Sequence, residues 1–144
     1  MKKFALLTLL VLVGCRGKVV GTAPLSGPGT ATAVIQATGK MQIWADADTH
    51  WTGNDDSKPE LEYDVDLTQN GKDIGHLKCS TSQSGGSSIC GMTSNIMGDR
   101  SGDCEYSLAC EFPDVTGAVE AKVTGRTGPN VKTVKKMSLN FRSK

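Results

Sequence analysis

The sequence is poor in the side chains and motifs on which most enzymes depend. It has two histidines, His50 and His76, and it has no Gly-x-Ser-x-Gly elbow, no His-Glu-x-x-His helix and no Cys-His pair. Carboxylates are frequent, but many fall on the polar side of a strand pattern. That setting lacks the desolvated cleft that raises the pKa of a general acid. We therefore expect a protein that is not an enzyme.

Aromatic residues and net charge are also scarce. Aromatics are 5% of the chain, and the formal net charge is +1. A core with few aromatic side chains is thin and is helped by cross-links. A near-neutral chain without an aromatic stacking platform beside its lysines does not fit a nucleic-acid-binding protein. We expect no nucleic-acid partner.

The chain has one long hydrophobic run, and it lies at the N-terminus. Lys2 and Lys3 precede the apolar stretch Phe4–Val13, and Gly14 and Cys15 follow it. The run of ten residues is too short for a transmembrane helix, which needs roughly 20. A basic start, a short apolar run and a small residue before the boundary are the layout of a secretory signal peptide.

The tetrapeptide Leu12-Val13-Gly14-Cys15 resembles the lipobox of bacterial lipoproteins. The resemblance covers the signal segment alone. It implies that Cys15 is acylated and becomes the first residue after cleavage, so that 1–14 is the signal peptide. Arg16, rather than Asp, follows the cysteine, and by the same resemblance this favours delivery to the outer membrane. Without Lys2 and Lys3, 14 of the 16 basic residues remain against 15 acidic ones, a formal charge of −1.

Four cysteines remain in the mature chain: Cys79, Cys90, Cys104 and Cys110. An even number in an exported chain indicates two disulfides, for which three pairings exist. A regular strand would place Cys104 and Cys110 about 20 Å apart, beyond the ~7 Å allowed between bridged Cα atoms. We favour the nested pairing, 79–110 with 90–104, around a turn near 95–102. The spacings C-x10-C and C-x5-C lack the short pairs of structural zinc sites.

One hairpin is specified in detail. Apolar residues alternate with acidic ones over 60–67, which is the pattern of a half-buried strand, and Asn70-Gly71 is a strong hairpin signal. The inward residues are expected to be Tyr63, Val65 and Leu67 opposite Cys79, Leu77 and Gly75. That register predicts a three-residue loop.

Similar alternation recurs at 119–123 and 137–141, and 40–47 and 104–112 also read as strands. With frequent turn residues and no sustained helical period, this predicts an all-β fold. We expect an antiparallel β-sandwich of about seven or eight strands, immunoglobulin-, C2- or transthyretin-like, stabilised by disulfides, with a closed barrel as the main rival. Residues 15–33 are rich in Gly, Pro, Thr and Ala. They are expected to form a lipidated tether of about 18 residues with a reach of roughly 20–25 Å, ahead of a domain at 34–144 in which 34–37 add an edge strand.

The first candidate site is acidic. Asp46, Asp48, Asp55 and Asp56 are candidate calcium ligands, since calcium needs six to eight oxygens. Trp51 beside them is a candidate for stacking on a sugar. The alternative is a solvated polar face with Trp51 covering one end of the sandwich and Trp44 in the core. No other metal or cofactor is expected.

The second candidate site is basic. After Glu120 the chain has no acidic residue. Lys132, Lys135 and Lys136 stand in this tail and are candidates for a positive face that binds an acidic protein or lipid headgroups. The alternative is solubilising charge that also protects a sheet edge.

The sequence therefore predicts a lipid-anchored protein of the cell envelope, in the outer membrane. We expect a non-catalytic binding module or accessory subunit of an envelope assembly with a protein partner, an architectural analogy rather than a motif match. Two alternatives remain open. One is a calcium- or carbohydrate-binding surface module, and the other is an envelope inhibitor of a secreted hydrolase.

Overall fold

The computed structural model describes residues 17–54, 57–82, 88–94 and 98–144, and for 92–94 the backbone alone. These residues form nine strands: β1 (Val19–Ala23), β2 (Gly29–Gly39), β3 (Met41–Thr52), β4 (Leu61–Gln69), β5 (Lys72–Ser80), β6 (Ser88–Ser94), β7 (Asp99–Leu108), β8 (Val115–Thr127) and β9 (Val131–Ser143). They build a five-stranded sheet in the order β1-β9-β3-β7-β6 and a four-stranded sheet in the order β2-β8-β4-β5. All pairings are antiparallel. The expected disulfide-linked β-sandwich is confirmed, with one or two more strands than predicted.

The β4–β5 hairpin has the predicted register. Tyr63, Val65 and Leu67 pair with Cys79, Leu77 and Gly75. The loop, however, holds two residues. Asn70 and Gly71 both have positive φ, at 53° and 76°, as a type I′ turn requires. The extra residue, Ile74, lies in a β-bulge opposite the step from Leu67 to Thr68. The predicted three-residue loop was therefore wrong, whereas the predicted inward-facing residues were right.

The expected tether is largely part of the sandwich. β1 pairs with β9, and β2 pairs with β8 along its full length from Gly29 to Gly39. The Gly- and Pro-rich composition was misleading because neighbouring strands supply the backbone partners, and small residues let the two sheets approach. A Cβ at Gly21 would lie 2.8 Å from Ile35 Cγ1. The ordered fold therefore begins well before residue 34, although β2 is an edge strand as expected.

The core lies between the two sheets and is filled by the alternate side chains of each strand that point toward the other sheet. Its largest fully buried side chains include Trp51, Tyr63, Tyr106 and Phe141. Phe112 packs edge-on against Phe141 at a centroid distance of 6.0 Å. The core is continuous from sheet to sheet.

The two disulfides follow the nested pairing. Cys79 in β5 is bonded to Cys110, and Cys90 is bonded to Cys104, which lies directly opposite it in the β6–β7 ladder. The first bridge ties the edge of the four-stranded sheet to the segment after β7, and the second staples two neighbours of the other sheet. Cys104 is buried on the inner face of β7, as its parity predicted.

Candidate functional site

The outer face of the five-stranded sheet carries charges of both signs in neighbouring rows. Lys136 of β9 lies 3.1 Å from Asp46 of β3 and 3.4 Å from Asp103 of β7. Lys132 lies 2.8 Å from Asp99. The basic tail and the acidic residues are far apart in sequence, but β9 and β3 are adjacent and so their charges meet. The expected positive face is therefore wrong for Lys132 and Lys136, because their ammonium groups pair with carboxylates.

The four-stranded sheet repeats this arrangement. The acidic outer residues of β4 stand between basic residues of β5 and β8. His76 Nδ1 is 2.6 Å from Asp66 Oδ1, and Arg126 Nη1 is 2.5 Å from Asp64 Oδ2. His76 also lies 3.6 Å from Asp64. Neither sheet presents a face of one sign.

Two of the four candidate calcium ligands lie within the described residues. Asp46 and Asp48 share the outer face of β3, but Asp46 is engaged by Lys136. Asp55 and Asp56 lie outside the described residues. Among the residues that the structure does describe, no three His, Cys, Asp or Glu side chains are grouped to hold a metal ion.

The two tryptophans of β3 lie on opposite faces of the strand because they are seven residues apart. Trp51 points inward, is fully buried and donates its indole N–H to Ser57 Oγ at 3.2 Å. It cannot stack on a sugar, so its proposed binding role was wrong. Trp44 lies on the outer side, where the Arg142 guanidinium carbon is 5.9 Å from its ring centroid. Trp44 is buried, with 6% of its surface exposed, as the alternative expected, but it lies outside the main cluster of core side chains.

A groove of about 420 Å³ crosses the outer face of the five-stranded sheet. Its lining residues are Asp48, Thr49, His50, Gly91, Ser101, Gly102, Thr133 and Lys135. A carboxylate, an imidazole, hydroxyls and an ammonium group all face one depression, so it offers hydrogen-bond donors and acceptors of both charges. This set suits a polar side chain or backbone segment of a partner.

The shape of the groove follows from local sequence. Gly91 has open space where its Cβ would be. β6 therefore contributes backbone to the groove at this position, and no side chain rises from it. On the other side, the ladder between β3 and β9 shifts register between Asp48 and Thr49, and Lys135 is the residue left out of the pairing. The sequence singled out Lys135. It carried no signal for Ser101, Thr133 or Gly91, because these residues come from three separate strands.

The groove opens toward β6, which is an edge strand. β6 belongs to a stretch of 20 residues, Cys79–Gly98, that contains no charged residue. Ile89 on this strand is 47% exposed and pairs with Glu105 on the outer face. The absence of charge was the available sequence signal for an unprotected edge.

No protein-family model and no curated protein matches the sequence. The described residues contain no helix whose length and hydrophobicity would let it span a membrane.

Proposed function

We propose that this protein is a lipoprotein of the bacterial outer membrane, anchored through Cys15, and that it serves as a non-catalytic binding subunit of an envelope protein assembly. Export is supported by the two disulfides, since such bonds persist in oxidising compartments. The anchor is supported by the lipobox-like tetrapeptide ending at Cys15.

The observation that carries the binding role is the uncharged edge strand β6 beside the polar groove. Exposed sheet edges in soluble proteins are normally blunted by charged side chains, prolines or bulges. The β5 edge of the other sheet follows this rule, with Lys72, Asp73 and a bulge. β6 has none of these devices in the ladder that the structure describes. An edge left open in this way suits addition of an extended segment from another protein.

The groove supplies the specificity that a bare edge lacks. Main-chain hydrogen bonds in strand addition are independent of sequence, and selectivity comes from pockets for alternate side chains. A partner residue beside Gly91 reaches the groove directly, because Gly91 has no side chain to obstruct it. Lys135 and Asp48 there select polar or charged side chains.

The proposal is tested by crosslinking the tagged, lipidated protein in cells and identifying the captured proteins by mass spectrometry. We expect one abundant envelope partner that is lost in Cys15→Ser. Ile89→Lys places a charge on the β6 edge and should abolish capture. Val34→Lys is the matched control, because Val34 is a 66% exposed apolar residue on the other sheet's edge strand β2. No partner above background would refute the assembly role, and capture by Ile89→Lys would refute docking at β6.

A further inference from the structure

The first described residues are fixed to the sandwich almost as soon as the chain leaves Cys15. Arg142 Nη1 donates to the Gly17 carbonyl at 3.4 Å. The Lys18 amide donates to Ser143 Oγ at 3.2 Å, and the Ser143 amide donates to the Lys18 carbonyl at 2.9 Å. One residue, Arg16, separates Cys15 from this bonded segment. Two residues of extended chain span about 7 Å, so a lipid on Cys15 would leave the domain no room to stand off the membrane.

Three lysines surround this attachment point. Lys18 precedes β1, Lys144 follows β9 and Lys40 precedes β3, and these three strands are adjacent in the sheet. The pairing of Met41 with Ser143 brings Lys40 beside Lys144, and both line a depression of about 260 Å³ that also contains Glu111.

These lysines differ from Lys132 and Lys136 of the sheet face in their charge partners. All three are exposed to solvent. Within the part of the chain that the structure describes, none of them makes an ion pair, whereas Lys132 and Lys136 are both paired. Ammonium groups without carboxylate partners, within one Debye length of a membrane surface (about 8 Å), are attracted to anionic headgroups.

We propose that the membrane-anchored protein is oriented, with the end of the sandwich that carries Lys18, Lys40 and Lys144 held against the lipid phosphates. This inference rests on the proposed lipid anchor at Cys15. Each lysine near an anionic surface strengthens membrane binding about fivefold, so the three together contribute roughly 100-fold.

This orientation places the groove in the aqueous compartment. Asp48 is seven residues along β3 from Met41, which is about 23 Å at ~3.3 Å per residue. The short connection to Cys15 and the three lysines hold one end of the sandwich at the membrane. The groove then lies at a fixed distance from the membrane, which a flexible tether would not provide.

The test is amine labelling of the lipidated full-length protein in vesicles of phosphatidylethanolamine and phosphatidylglycerol, quantified at each lysine by mass spectrometry. Cys15→Ser protein mixed with the same vesicles is the reference. We expect Lys18, Lys40 and Lys144 to be labelled at least threefold less in the anchored protein. Lys122 and Lys135, which are exposed on the outer faces of the two sheets, should be labelled equally in both.

Equal labelling of all five lysines in a protein that sediments with the vesicles would overturn the orientation and leave the anchor standing. A protein that fails to sediment, and whose intact mass lacks an acyl group, would overturn the anchor itself. Lys40→Glu should raise labelling of Lys18 and Lys144 toward the reference level. Lys122→Glu, the matched charge reversal, should leave their protection unchanged, and an equal effect of both variants would contradict the proposal.

Discussion

Removing the Cys79–Cys110 disulfide should lower the free energy of unfolding substantially, although the bond lies at the edge of one sheet. The bridge closes a sequence separation of 31 residues, of which the inner Cys90–Cys104 bridge already closes 14, leaving an effective loop of 17. Chain-entropy arithmetic for a loop of that length yields about 3 kcal/mol of stability at 25 °C. We expect Cys79→Ala with Cys110→Ala to lower the free energy of unfolding by about this amount. The inner bridge, with a separation of 14 residues, should also contribute about 3 kcal/mol.

Because the two disulfides should contribute about equally to the free energy of unfolding, their effects can be told apart only by which strand unfolds locally when each one is removed. Urea unfolding, followed by tryptophan fluorescence, measures the loss in the free energy of unfolding. If that free energy falls by about 2 kcal/mol per molar urea, the unfolding midpoint should be lower by about 1.5 M. Hydrogen exchange measures local unfolding of individual strands. Loss of Cys79–Cys110 should expose amides of β5, whereas loss of Cys90–Cys104 should expose those of β6. A global loss below about 1 kcal/mol, or faster exchange in β6 after removal of Cys79–Cys110, would refute the reasoning.

Three further outcomes are expected. Gly71→Ala should cost about 1–2 kcal/mol in chemical denaturation, because φ is 76° at this turn position; unchanged stability would contradict the type I′ turn. Burial raises the pKa of the hydroxyls of Tyr63 and Tyr106. Only the unfolded chain then ionises near pH 10, so stability should fall as pH rises above that value, with tyrosinate absorbance appearing together with unfolding rather than before it. Lys136→Ala should cost only about 0.2–1 kcal/mol, an effect that added salt reduces, because hydrogen bonding to Asp46 raises the pKa of an ammonium group that remains largely solvated; a salt-independent loss would argue against the ion pair.

The fold was accessible to sequence reasoning wherever the pattern is local. The alternation over 60–67 and the Asn70-Gly71 turn defined the hairpin and its inward residues. Strand geometry argued against a Cys104–Cys110 bond, and the nested pairing, favoured among the two that remained, is the one found. The tether was the main error. A Gly- and Pro-rich composition indicates only a weak local preference for strands. β1 and β2 form because β9 and β8, more than 70 residues away in sequence, supply their hydrogen bonds.

The candidate site was less accessible. Trp51 and Asp48 are three residues apart and therefore lie on opposite faces of β3. The alternation alone does not say which of the two faces packs against the other sheet. The sequence identified Lys135 as a binding candidate. It did not identify Ser101, Thr133 and Gly91, because a groove formed by four strands exists only after those strands are ordered.

The all-β class and the presence of two disulfides could be predicted from the sequence alone, because they depend on a local alternation of side chains and on a count of cysteines. The proposed export signal and acylation of Cys15 also rest on the sequence alone. The tertiary structure decided which charges meet, which strands lie at the sheet edges and how early in the described chain the bonded strands begin. The sheet order places the basic tail in β9 beside the acidic residues of β3 and in β8 beside those of β4, so an acidic and a basic half of the chain become two faces of mixed charge. Coulomb interactions depend on separation in space, and the sheet order that sets that separation is established only by long-range strand pairing.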